Sequence, residues 1–275
     1  MNRAYIEITN VCNGSCSFCP GTGRAPDFMS YESFDRVTAS VAEFVDLVYL
    51  HVLGEPLLHP SLGEFIRLAK SRGLRVGITT NGKLLPECTE MLLREKPYKI
   101  QVSVHSFESG SDGEFLRYLH GCFDFAKKAS EAGILVVLRL WNRGYDSGRN
   151  LDTLAVLREK IGEDFILTDK GARISPKLHL EFGDRFAWPS LSSADLGERV
   201  FCHGMTDQFA VLVDGTVCPC CLDSEGDVNL GNIFDTPLWQ ILNSPRAEAM
   251  RQGFRKHKAT EELCRKCPYA RRFKI

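Results

Sequence analysis

The sequence predicts an α/β fold: a partial (β/α)6 parallel barrel over residues 1–190, followed by a small α+β region over residues 191–275. Three observations predict it. Short apolar runs alternate with helix-like segments, the pattern of repeated βα units on a parallel sheet. Each proposed strand has one apolar and one polar face. Cysteines gather after the first strand and again in the last quarter, where hairpin and short-helix signals replace the βα repeat.

The first strand is Ala4 to Thr9. A helix from Tyr31 to Phe44 follows Ser30, whose hydroxyl suits the free N–H groups of a first turn. The second strand, Leu47 to Leu53, leads to a helix over Ser61 to Ser71 closed by Gly73, and the third, Leu74 to Thr80, to a helix over Pro86 to Arg94. Proline just inside a helix start and glycine just past its end mark these boundaries. Lys99 to His105 is the fourth strand, before a long helix Asp112 to Ala132 ended by Gly133. Ile134 to Trp141 is the fifth, before Leu151 to Ile161 ended by Gly162, and Leu178 to Phe182 is the sixth.

Taking alternate residues, one face reads Ile6/Ile8, Leu50/Val52, Val76/Ile78, Val102/Val104, Leu138/Leu140 and Leu178/Leu180, the side to pack on helices. The other reads Glu7/Thr9, Tyr49/His51, Gly77/Thr79, Gln101/Ser103/His105, Arg139/Trp141 and His179/Glu181. A filled parallel barrel is apolar on both faces. Polar groups on every inner face therefore predict a lumen open to water or ligand, since unpaired polar groups are costly in a dry core. A half-exposed sheet gives the same alternation but leaves Arg139 and Trp141 unexplained within so apolar a run.

The net charge of −1 argues against a globally basic nucleic-acid binder. No apolar run approaches membrane-spanning length, and no signal segment opens the chain. With eleven cysteines, this predicts a reducing cytoplasm in which cysteines serve metal rather than disulfides. Cys88 and Cys122, on helices, read as small buried hydrophobes. A basic excess from Arg246 to Lys274 reads as a solvated helix face, with a surface for an electron donor or RNA as the alternative.

Cys12, Cys16 and Cys19 stand in the frame Cys-x3-Cys-x2-Cys with no fourth ligand nearby. A cubane [4Fe-4S] cluster normally takes four thiolates, so three leave one iron with an open position for a small molecule. A zinc site usually closes a tetrahedral shell with paired cysteines. The triplet, with Phe18 just before its last cysteine, resembles the cluster motif of the radical SAM superfamily. That resemblance implies that the open iron binds S-adenosylmethionine, whose reductive cleavage gives a 5′-deoxyadenosyl radical that takes a hydrogen atom from substrate. Gly54-Glu55-Pro56 resembles the family's Gly-Gly-Glu-Pro segment, with Leu53 in place of the first glycine, and implies a site for the methionine amino group. The same resemblance implies that Ser103 and Ser106 hold the ribose, that Arg139 pairs with the methionine carboxylate and that Asn81 faces the nucleoside.

In the last quarter Cys202, Gly215, Cys220 and the pair Cys264-x2-Cys267 resemble the twitch domain, a shortened SPASM domain, which implies one auxiliary [4Fe-4S] cluster. Cys221 rivals Cys220 as ligand, and zinc rivals the cluster. Val213-Asp214-Gly215-Thr216-Val217 reads as a hairpin with Asp-Gly at its turn.

The chain begins at its first strand, which favours a small-molecule substrate over a peptide. His51, His105, Trp141, Asn142, Phe186 and Trp188 are candidate substrate contacts, and aromatics with an acid suit a flat, hydrogen-bonding ring. Segments around His51, His105 and Trp141 look similar to compact twitch enzymes of the queuine lyase type, which implies that Glu181 or Asp184 binds a 7-deazaguanine edge or amine. The rival resemblance is to twitch dehydrogenases of aminocyclitols, with His203 as the base near the auxiliary cluster; radical modification of a peptide is a further alternative. Outside enzymes stands an iron–sulfur electron carrier, against which the open iron speaks. The enzyme reading implies a flavodoxin- or ferredoxin-like electron donor.

Overall fold

A computed structural model describes residues 1–273. Lys274 of the basic tail lies outside them. Six parallel strands carry the barrel: β1 (Arg3–Ile6), β2 (Leu47–Tyr49), β3 (Arg75–Thr80), β4 (Lys99–Ser103), β5 (Leu135–Leu140) and, after β6 (Gly171–Ser175), β7 (Leu178–Phe182). The helices between them are α1 (Tyr31–Val41), α2 (Leu62–Ser71), α3 (Leu85–Glu95), α4 (Asp112–Glu131) and α5 (Arg149–Ile161). The rest comprises a hairpin of β8 (Gln208–Val211) and β9 (Val217–Cys218), then α6 (Leu238–Leu242), α7 (Pro245–Arg255) and α8 (Glu262–Arg265).

The strands form one nine-stranded sheet in the order β6-β7-β5-β4-β3-β2-β1-β8-β9, whose two edges do not pair with each other. The barrel is therefore open on one side. Two features escape the sequence reading. β6 adds an antiparallel edge to β7, and the β8–β9 hairpin is not free-standing but extends the barrel sheet, with β8 parallel to β1 in the register Arg3↔Gln208 to Ile6↔Val211. Both depend on which strand a short segment meets, and alternation within one segment cannot report that.

Local chemistry explains the element ends. The Ser30 hydroxyl accepts from the Ser33 amide to start α1, and Ser111 with Glu114 forms a reciprocal capping box on α4. The expected strands one and two are shorter than their apolar runs, because past Glu7 and Leu50, whose amides still donate to the Val211 and Gly77 carbonyls, the chain leaves the ladder to build the turns that carry the site. The expected Asp-Gly turn lies between β8 and β9, where Gly215 has φ +88° and a Cβ would meet the Phe234 ring at 2.5 Å.

The apolar face packs as expected: Ile6, Val48, Leu50, Val76, Ile78, Val102, Leu138 and Leu180 join one core with the inner sides of the helices. Between α1 and α2, Phe34 and Phe65 stack at 4.0 Å with no exposed area, and each such ring contributes about 2–3 kcal/mol of burial. Val52 departs from its expected face. It joins Ala210, Leu212 and Cys218 in a second small cluster with Tyr5 against it, because β2 has already ended at Tyr49. Cys88 is half-buried on α3 and Cys122 fully buried on α4.

Candidate active site

Strand pairing lines the lumen in rows. Ser103, Arg139 and Glu181 are neighbours across β4, β5 and β7, and one row deeper lie Thr79, Gln101, Val137 and His179. Toward the strands' N-terminal ends Tyr5 and Tyr49 stack at 5.2 Å, and His51 meets both edge-on, at 5.5 and 5.8 Å. Gly77 makes room for this pair, since a Cβ there would lie 2.5 Å from the Tyr49 ring.

The cysteine loop follows β1. Thr9 and Asn10 fasten its two ends by donating to the carbonyls of Asp27 and Ala25 at 2.7 and 2.8 Å. Within it Cys12 and Cys19 are exposed and Cys16 half-exposed, all three free thiols. Gly14 lies between the sulfurs: a Cβ on it would sit 3.8 Å from Cys12 Sγ and 3.9 Å from Cys16 Sγ. Cys16 is pushed up to about 11, by burial first and then by the negative charge of Glu108 and the other two thiols. Three free thiols on one solvent-open loop around a small residue are the donor set of a cubane cluster with one iron uncoordinated by protein, although among the described residues no three of these groups are already closed around a metal position.

Supports converge on this loop. The Asn81 side-chain amide donates to Asn13 Oδ1 at 2.7 Å and points at Cys12 Sγ, 3.8 Å away. Glu108 accepts from the Ser17 hydroxyl at 2.7 Å and pairs with Arg185, whose guanidinium lies over Phe18. Phe18 packs on His105 at 5.0 Å. Beside them a cavity of about 280 Å³ is lined by Ser17, His105, Phe107, Tyr145, Arg149 and Arg185, among others.

The Gly54-Glu55-Pro56 turn abuts the loop's start. The Glu55 amide donates to the Val11 carbonyl at 2.8 Å. The Glu55 carboxylate is 1 % exposed and is occupied by the amides of Leu57 and Asn81, at 3.0 and 2.7 Å, although burial raises its pKa. It ties the turn after β2 to the end of β3.

Among the described residues three lumen side chains hold buried polar atoms without a protein partner: Arg139 Nε, Trp141 Nε1 and His51 Nδ1. The Arg139 guanidinium lies 4.4 Å over the Trp141 ring. Burial lowers its pKa, while Glu181, Tyr5, Tyr49 and Tyr269 pull it the other way, so these groups surround it. Burial with Arg139 nearby pushes His51 down to about 3, and burial pushes His105 down to about 4; both rings are neutral near pH 7. A buried arginine facing unpaired donors marks a site built to receive an acceptor-rich ligand.

Several predicted residues stand elsewhere. Asp184 is 62 % exposed and pairs outward with Arg143 and Arg272, so it is outside the lumen. The Asn142 amide is used on Asn150, in a reciprocal pair at 3.2 and 3.1 Å. The Ser106 hydroxyl donates to the Asn81 carbonyl at 3.2 Å and so braces the turn, whereas Ser103 stays in the Arg139 row. His203 pairs with Asp207, whose backbone carbonyl holds Asn2 and Arg3 at the start of β1; this is the far end of the strands from Cys12. Phe186 packs on Trp188 and Tyr269, joining the barrel to the C-terminal segment. Tyr5 and Tyr269 escape the sequence reading: Tyr5 lies on the polar face of the first strand but ahead of its cysteines, and Tyr269 is brought in by the chain's far end.

Cys202, Cys220, Cys221, Cys264 and Cys267 share one neighbourhood. Cys202 is pushed up to about 11, by burial first and then by Cys267 and Cys221, while Cys220 and Cys264 are raised by burial and by the surrounding thiols. Cys221 lies beside Cys220 and Cys202 and close to Tyr5. Four or five thiols in one neighbourhood are the right donor chemistry for a fully ligated cluster, although among the described residues no group of three or more His, Cys, Asp or Glu is already closed around a metal position. Basic residues nearby are paired, Arg246 with Glu261, Arg251 with Glu248 and Arg265 with Asp195, as a solvated face requires. Among the described residues no helix is long and apolar enough to cross a membrane.

Comparison with known proteins agrees with this geometry. Residues 6–172 match the model of the radical SAM superfamily, and residues 202–268 match SPASM, an iron–sulfur cluster-binding domain. A tungsten-containing aldehyde ferredoxin oxidoreductase cofactor-modifying protein of Pyrococcus furiosus is 34% identical over 34% of this chain and 27% of its own length. A GTP 3′,8-cyclase of Aquifex aeolicus is 30% identical over 54% of this chain and 50% of its own. The chain thus spans half or less of the length of these curated relatives. Among solved structures, BtrN in complex with AdoMet and 2-DOIA superposes with a TM-score of 0.62 at 18% identity, covering 97% of this chain and 92% of that one. Streptococcus suis SuiB bound to S-adenosylmethionine gives 0.62 at 16%, covering 97% and 72%.

Proposed function

The chain belongs to the radical SAM superfamily, and on that premise we propose that Cys12, Cys16 and Cys19 hold a [4Fe-4S] cluster beside an S-adenosylmethionine site, serving a small molecule in the lumen. One observation carries the reading: the free thiol triplet stands at the C-terminal ends of the strands whose inner face holds the unpartnered atoms of Arg139, Trp141 and His51. When bound, the cluster and S-adenosylmethionine supply a 5′-deoxyadenosyl radical able to take a hydrogen atom from substrate.

The chain's own residues bind and orient. The backbone of the Gly54 turn receives the methionine amino group, with Glu55 fixing the turn. Asn81 steadies the cysteine loop and faces the nucleoside, Ser103 meets the ribose, and the cavity between Ser17, His105 and Tyr145 takes the purine. Arg139 faces Glu181 and the tyrosines of the lumen, and beside Ser103 it takes an acceptor group of the substrate in addition to the methionine carboxylate. Cys202, Cys220, Cys264 and Cys267 hold a second [4Fe-4S] cluster, and a flavodoxin- or ferredoxin-like protein supplies the electron.

For the substrate we favour a flat ring of the 7-deazaguanine type, as in a queuine lyase, because Trp141 offers an unsatisfied indole N–H and Glu181 an acceptor on the same wall. A second reading is oxidation of an aminocyclitol, the rival resemblance of the auxiliary cysteine spacing; the likeness to BtrN through nearly the whole of both chains shows a shared fold. That reading loses the base assigned to His203, which faces Asp207.

Anaerobic reconstitution with iron and sulfide, followed by dithionite and S-adenosylmethionine, is expected to yield methionine and 5′-deoxyadenosine. Absence of both products, or their formation by a Cys12→Ala/Cys16→Ala/Cys19→Ala variant, rejects the reading. Deuterium moving into 5′-deoxyadenosine from labelled queuine or from a labelled aminocyclitol chooses between the substrates.

A further inference from the structure

We infer that Glu7 and Arg24 are a positioning pair that makes the placement of the first cysteine loop depend on the auxiliary hairpin. Glu7 lies on the inner side of the chain just past β1 and is fully buried. Its two oxygens accept four hydrogen bonds: Arg24 Nη1 and Nη2, each at 2.7 Å, the Leu53 amide at 3.2 Å and the Val213 amide at 3.1 Å. A carboxylate has about four acceptor sites, so none is left for a ligand, and the group is structural in its chemistry. The origin of its donors gives it meaning. Arg24 belongs to the segment after Cys19, Leu53 immediately precedes Gly54, and Val213 stands in the turn between β8 and β9.

A buried ion pair is a poor means of adding stability, because desolvating the charges offsets most of their attraction. What this one supplies is register: three segments distant in sequence are fixed against one another by one group with no spare valence. Two further ties run the same way. The Gly23 amide donates to Glu225 at 3.3 Å, and on α1 Arg36 donates to the Phe234 carbonyl at 3.0 Å. The loop between Cys19 and Arg24 is therefore suspended between the barrel and the C-terminal segment. A change at either cysteine set is transmitted to the other through Glu7, and binding linkage makes the effect reciprocal.

Arg24→Met tests this, because Arg24 makes no hydrogen bond to Leu53 or Val213 among the described residues and its loss leaves Glu7 buried without its charged partner. In the iron-free chain, amide hydrogen exchange at both Leu53 and Val213 is expected to quicken at least about tenfold, with Arg24→Lys, which keeps the charge but not the fork, lying between. In the reconstituted protein lacking Cys12, Cys16 and Cys19, Arg24→Met is expected to alter the EPR spectrum of the auxiliary cluster. Faster exchange confined to residues 20–27, with Leu53 and Val213 unchanged, overturns the inference. So does an Arg24→Lys chain as protected as the parent. The exchange measurement needs neither cluster nor cofactor, so its failure is separate from any failure of the proposed chemistry.

Discussion

Gly54 presses its α-carbon against the backbone of Thr9: a Cβ at position 54 would lie 2.2 Å from the Thr9 carbonyl oxygen, and Gly54 itself has φ +74°. Two separate physical demands, a left-handed backbone and an approach closer than any side chain permits, meet at the residue joining β2's turn to the root of the cysteine loop.

Gly54→Ala is therefore expected to push the turn off the loop. The left-handed conformation alone costs about 1–2 kcal/mol, and the backbone clash adds to it. Urea unfolding of the iron-free protein should show a loss of about 2–4 kcal/mol, and S-adenosylmethionine binding should weaken beyond detection. A variant of parental stability and affinity contradicts the role given to this turn.

Arg139→Met separates function from stability. The arginine is buried, with Nε unpartnered, so replacing it with an apolar side chain of similar length is expected to leave the unliganded protein as stable or about 1 kcal/mol more stable. Substrate affinity should fall about 100-fold, the size of a lost charged hydrogen bond. Equilibrium unfolding checks the first expectation and calorimetric titration with the turned-over substrate the second. Lost stability with undiminished affinity would assign Arg139 to packing alone.

Acid should destabilise the protein through its buried histidines. His51 and His105 are held to about 3 and about 4 in the fold against an unfolded value of 6.5. Between those limits the unfolded chain binds more protons than the folded one, so stability is full above about pH 6.5 and declines as pH falls toward 4. Each histidine contributes a slope of up to about 1.4 kcal/mol per pH unit. His51→Asn removes one of them, and its urea midpoint should vary less steeply than the parent's between pH 6.5 and 4.5. Parallel curves contradict the burial argument.

The strand parity argument carried far because it depends only on period: Arg139, Glu181, His51 and Trp141 share the inner face for the same reason that Ile78 and Leu138 share the outer one. Where a strand ends early the period stops being informative, and Val52 turned to the other side. Glu7 was legible as an inward residue but not as a tie, since its partners Arg24, Leu53 and Val213 come from three segments that only the folded chain brings together. His203 shows the converse. Its neighbour in sequence, Cys202, faces other thiols, while the ring itself turns to Asp207, because adjacent residues in a loop need not share a direction.

Iron content tests the two cysteine sets separately. Reconstituted parent protein should hold about eight irons, and Cys264→Ala/Cys267→Ala about four, with cleavage of S-adenosylmethionine retained at a reduced rate. One zinc per chain in place of the second four irons would assign Cys202, Cys220, Cys264 and Cys267 to a zinc site.

The most direct test of the account is the EPR spectrum of the reduced Cys264→Ala/Cys267→Ala protein, in which the triplet alone carries a cluster, recorded with and without S-adenosylmethionine. The account predicts a cubane signal whose g-values shift when the compound is added and which disappears in the Cys12→Ala/Cys16→Ala/Cys19→Ala background. A signal indifferent to the added compound, or no cubane signal at all, contradicts it.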